Sequence, residues 1–130
     1  MPLAAAHLPQ TSRAQALDLA ILANLRLILE TRHGEALAAP TLGTLDLADL
    51  VHGDRAAARI LESNLRATIL RHEPRLDRVD IAVASDHREP TLALTIRAHL
   101  RAPLRAGRGP LVITGRLSPL GDLALSLATP

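Results

Sequence analysis

The feature that most constrains this chain is a change of hydrophobic period at Pro74. From Arg55 to His72, residues Ala57, Leu61, Leu65, Thr68, Ile69 and His72 fall on one side of a helix turning about 100° per residue. Arg55, Arg59 and Arg66 gather on the opposite side, with Glu62 beside them at helix-pair spacing. Proline has no N–H and pushes the residue before it out of helical space, so the helix must end at Glu73. The period then becomes two: Val79, Ile81 and Val83 face one way, Arg78, Asp80 and Ala82 the other. Glu73, Pro74, Arg75 and Leu76 therefore sit on a fixed corner between helix and strand. That corner is the leading candidate for function.

A chain of 130 residues, 48% apolar, is long enough for one domain with a real core. It has no Phe, Tyr or Trp, so that core must be built from Leu, Ile, Val and Ala. All fifteen cations are arginine and the formal charge is only +2, so the high pI of 10.9 describes a nearly neutral protein. Zero cysteines exclude disulfides, thiol catalysis and thiolate metal sites. The first ten residues lack the basic start and apolar run of a secretion signal, and no apolar run approaches membrane-spanning length. The expectation is a soluble, cytoplasmic protein.

Residues 1–12 read as a flexible N-terminal tail ahead of a single domain over 13–130. A helix is expected from the N-cap Ser12 to Glu30, with Leu17, Ile21, Leu22, Leu25, Ile28 and Leu29 as its stripe and Gly34 as its stop. Residues 35–53 form an extended connection tucked in by Leu45, Leu47 and Leu50, and Asp54 caps the central helix. Turn residues fill 85–90. Leu92, Leu94, Ile96, Ala98 and Leu100 then alternate with polar neighbours as a half-buried strand. A loop holding Arg101, Pro103, Arg105, Gly107, Arg108 and Gly109 leads to a strand at 111–115; after a turn at 118–122, Leu123, Leu125 and Leu127 mark the last strand. Helices followed by hairpin-joined strands predict an α+β domain: an N-terminal and a central helix on a largely antiparallel sheet of about four strands.

Three stretches, in order and at matching spacing, carry a resemblance. Leu25–Gly34 resembles a first-helix ending of the form LLNTRxG; Pro40–Gly43 through Leu47 and Leu50 resembles PDYGLPDLTDL. Leu61 through Val83 is similar to a helix ending in an aromatic residue, then Glu-Pro-Arg-Leu and a valine-rich strand. This is the pattern of TssE, the small baseplate subunit of type VI secretion, related to phage-tail wedge proteins historically labelled lysozyme-like. The resemblance implies a non-enzymatic assembly part without a cofactor. Its partners would be other wedge subunits (TssF-, TssG- and TssK-like) and sheath proteins (TssB- and TssC-like), and it would help to start sheath polymerisation. It also implies docking through the corner, hence Glu73, Pro74, Arg75 and Leu76. The wedge protein of a phage tail or phage-derived injection particle is the alternative. Leu42 and His72 stand where the pattern has aromatic residues, and Leu45 replaces a proline.

Each candidate has a plainer counterpart. Glu73 and Arg75 can pair within the chain and simply fix the corner. Arg55, Arg59 and Arg66, with Leu70 nearby, form either a solvated face or a second contact face. Arg101, Arg105 and Arg108 could meet phosphate, but single-strand binders stack bases on aromatic rings, and this chain has none. The six histidines (His7, His33, His52, His72, His87, His99) show no metal-ligand spacing. Muramidase chemistry would need two carboxyl groups across a cleft, one with a raised pKa, such as Glu73 with Asp77 or Asp80. No sugar-stacking ring, nucleophile elbow, P-loop or dinucleotide fingerprint accompanies them.

Overall fold

The computed structural model describes residues 10–37, 50, 52–86, 91–118 and 122–128. Two helices, α1 (Gln10–Leu37) and α2 (Arg55–His72), precede four strands: β1 (Leu76–Asp86), β2 (Thr91–Leu100), β3 (Leu111–Leu117) and β4 (Leu123–Leu127). The strands form one sheet in the order β1-β2-β3-β4, antiparallel throughout. The α+β architecture expected from the sequence is the one observed. α2 packs on β1, while α1 packs on α2 and on β4, so both helices cover the same face of the sheet. No helix among the described residues is long and apolar enough to cross a membrane.

The core lies between the layers and is wholly aliphatic. Ile21, Leu25, Leu29, Leu61, Ile69, Leu94, Ile96 and Ile113 are among its fully buried side chains. β2 buries Leu92, Leu94, Ile96, Ala98 and Leu100 in strict alternation, as its sequence predicts. Leu50, from the connection ahead of α2, is buried as well; Leu42, Leu45 and Leu47 lie outside the described residues. Asp54 caps α2 as expected, its carboxylate accepting from the N–H groups of Ala56 and Ala57 at 3.0 and 3.1 Å.

α1 differs from the expectation at both ends. It starts at Gln10, so residues 10–12, counted with the tail, are helical, while 1–9 lie outside the described residues. At the other end Gly34 does not stop the helix, which continues to Leu37. One interior glycine costs only about 1 kcal/mol relative to alanine, less than tertiary packing supplies. α1 is also apolar beyond its buried stripe: Leu19 and Leu27 are 57% and 59% exposed.

Charged side chains from the helices cover backbone of both outer strands. Glu62 of α2 accepts from the Val83 N–H at 2.8 Å, and Arg66 Nε donates to the Val79 carbonyl at 3.0 Å. On β4, Arg26 of α1 donates twice to the Leu125 carbonyl, at 3.1 and 2.8 Å. Unpaired strand edges invite unwanted pairing, and these contacts occupy part of both.

Candidate docking corner

The corner forms where its sequence requires. α2 ends at His72, and the Glu73 N–H makes the last helical bond, to Ile69 O at 2.9 Å. Glu73 itself is extended (φ −126°, ψ 91°), as a residue before proline should be. The Leu76 N–H returns to the Glu73 carbonyl at 3.3 Å, closing a turn with Pro74 at its favoured second position.

The Glu73 side chain is completely buried. Arg75 folds back on it, donating from Nη2 at 2.6 Å and from Nε at 3.0 and 3.2 Å, while its backbone N–H bonds Oε2 at 3.0 Å. Asn24 of α1 completes the shell, its amide reaching Oε1 at 3.1 Å and His72 O at 3.4 Å. Burial by itself pushes the Glu73 carboxyl upward, but Arg75 and Asn24 outweigh it and hold the group below its ordinary value. The carboxylate in turn raises the Arg75 guanidinium. Both groups are therefore charged at neutral pH.

The intrachain ion pair is thus real, and it changes what the four corner residues can offer. Glu73 has no surface left to present. Leu76 is also buried, at 1% exposure, for a reason hidden in the strand pattern. Counting back by twos from Val79 puts Leu76 outside with Arg78. However, the pairing of β1 with β2 slips between Leu76 and Arg78, so Asp77 is an extra, bulged residue and Leu76 turns inward. Pro74 remains exposed, and Arg75 is 32% exposed with no partner for Nη1 among the described residues.

The loop between β2 and β3 buttresses the corner. The Arg101 N–H donates to Arg75 O at 2.8 Å, and its Nε to Pro74 O at 3.2 Å. Arg105 bonds Leu100 O at 3.0 Å and Asp77 at 2.9 Å. Arg108 grips both oxygens of Asp18 on α1 at 2.7 Å. The three arginines considered for phosphate are instead engaged within the chain.

The proposed second face is also divided. Arg55 and Arg59 are exposed, whereas Arg66 is half-buried and bonded to β1, and Leu70 is 36% exposed. His72 is half-buried, and its Nε2 has no hydrogen-bond partner among the described residues. The carboxylates considered for glycoside hydrolysis do not form an acid–base pair: Glu73 is sealed and held ionised, and Asp77 is paired with Arg105. Burial acts to raise Asp80, but Arg78 and His99 outweigh it and leave the carboxyl lowered. Two open hollows of about 390 and 460 Å³ lie by the start of α2 and on the outer sheet face, away from the corner. Among the described residues no three His, Asp or Glu side chains come together as a metal site.

Asn24 was not singled out in the sequence, although it left a trace: a polar residue beside the apolar run of α1, three before Leu27 and four before Ile28. With this geometry established, comparison with known proteins identifies the family. Residues 15–104 match the family described as baseplate wedge protein gp25. The chain belongs to that family. The matched span includes α2, the corner, β1, β2 and the start of the buttressing loop. No curated protein sequence matches. Among solved structures, a chain from "The baseplate complex from the type VI secretion system" is similar at 19% identity and a TM-score of 0.56. The match covers 92% of this chain and 99% of that one. The chain thus shares its two-layer fold with that baseplate-complex chain, and the resemblance carried by its three sequence stretches points to the same family.

Proposed function

We propose that this gp25-family chain is a baseplate wedge subunit of a type VI secretion apparatus, docking on other wedge subunits through its Glu-Pro-Arg corner and helping to start sheath assembly on the cytoplasmic side. The observation that carries the reading is the division of labour at the corner. Glu73 is consumed in holding Arg75 from below, which leaves Pro74 and one edge of a preorganised guanidinium facing outward. A planar, fixed fork suits carboxylates and backbone carbonyls on a protein surface. The similar baseplate-complex chain favours the secretion apparatus over a phage-derived particle. TssF- and TssG-like subunits are the expected immediate partners, with TssK-like and sheath subunits beyond them.

The test is co-purification with the wedge subunits encoded beside this chain's gene. Arg75→Ala alone leaves a buried carboxylate without its cation, a loss of about 3 kcal/mol or more that threatens the fold. The double variant Glu73→Gln/Arg75→Ala removes both charges and separates folding from docking. Capture by wild type and not by the folded double variant is the expected result. Equal capture by both would make the corner purely structural, and no capture by wild type would overturn the assembly role itself.

A further inference from the structure

The segment Ala102–Gly107, between β2 and β3, is a loop whose exposed residues are mostly apolar: Ala102, Pro103, Leu104 and Ala106 all face solvent, Leu104 at 40%. Surface loops held on a rigid scaffold are where binding residues concentrate. Its shape is also fixed. Arg101 ties its root to the carbonyls of Pro74 and Arg75, Arg105 ties its middle to Leu100 and Asp77, and Arg108 ties its end to α1. Two internal backbone bonds, from Arg105 N to Arg101 O at 3.2 Å and from Arg108 N to Arg105 O at 2.8 Å, hold the turn. Ala106 is kept in the left-handed region at φ 46°, a conformation that costs a non-glycine residue about 1 kcal/mol. The strain persists because the staples over-determine the loop.

The charges around this surface are lopsided. Arg75, Arg78 and Arg105 are each met by a carboxylate, those of Glu73, Asp80 and Asp77. Arg101 meets none among the described residues, its side chain bonding only the Pro74 carbonyl. A rigid apolar tip beside a guanidinium fork and the carboxylate-free Arg101 has the composition of an interface core with a charged rim.

We propose that Leu104 is the apolar anchor of the same interface that Arg75 serves, and that the partner presents an apolar pocket rimmed by carboxylates. The inference rests on the docking role given above and adds its second element and the partner's chemistry. The loop pre-pays the ordering cost of binding, and the corner sets its position.

The experiment measures the affinity of purified TssF- and TssG-like wedge subunits, from the same gene cluster, for four forms of the full chain. These are wild type, Leu104→Asp, Leu104→Met and Glu73→Gln/Arg75→Ala. Leu104 is 40% exposed, so melting of each variant is measured first and only variants that melt with wild type are scored for binding. The expected result is a loss of roughly tenfold or more for Leu104→Asp and near-wild-type binding for Leu104→Met. Wild-type binding by Leu104→Asp, with the corner variant defective, overturns this inference and keeps the docking reading. The reverse pattern leaves Leu104 as the anchor and overturns the corner. A wild-type affinity unchanged by added salt overturns the carboxylate rim.

Discussion

At the scale of single residues, the corner is governed by one buried charge. Glu73 survives burial because Arg75 and Asn24 together supply its hydrogen bonds, and this fixes the sign of its pH dependence. Its folded value is depressed from an ordinary 4.5, so its stabilisation is fully present above about that pH and fades as pH falls through the lower folded value. Urea unfolding of the chain between pH 7 and pH 3 should therefore show stability declining below pH 4.5, with a shallower decline in Glu73→Gln. Equal slopes would mean that other carboxylates carry the acid sensitivity. Asn24 was not legible as part of this site, because nothing in a linear pattern shows that a side chain of α1 reaches a turn 49 residues further on. Leu76, brought to the corner by the resemblance, is buried for a local reason: one bulged residue, Asp77, shifts the phase of an alternation that is otherwise faithful from Val79 onward.

At the scale of elements, the sequence was most readable where packing and period agree. The stripe on α2 and the alternation of β2 follow from local pattern because each buries one face only, and the Asp54 cap and the stop before Pro74 follow from the local chemistry of a side-chain acceptor and a missing N–H. It was least readable where a side chain has two plausible partners at long range. Arg66, Arg101, Arg105 and Arg108 read as free cations, yet each bonds a carbonyl or carboxylate elsewhere in the chain. Gly34 read as a helix stop because glycine so often is one, but α1 passes through it. Gly115 shows the opposite case, a glycine that matters in the middle of a strand. A Cβ there would lie 2.5 Å from Leu125 Cδ2 and 2.8 Å from the Ala124 carbonyl. Gly115→Ala should thus force β3 and β4 apart and cost about 1–3 kcal/mol, read as a lower denaturant midpoint at unchanged slope. Unchanged stability would show that Leu125 can turn away and that the backbone yields.

At the scale of the whole molecule, a two-layer domain with an aliphatic core holds, among the described residues, one fully buried charge, Glu73, at one end of the sheet. α1 supplies Asn24 and Asp18, α2 ends there, β1 begins there, and the loop after β2 is stapled across it. Four elements converge on one exposed proline and one guanidinium and make a rigid surface, as the docking role proposed above requires. Hydrogen exchange of the chain alone and bound to its wedge subunits tests this most directly. Slowed exchange confined to residues 73–77 and 101–107 is the result expected. Protection that leaves those residues unchanged, and falls instead on α2 around Arg55 and Arg59 or on the outer face of the sheet, would contradict it.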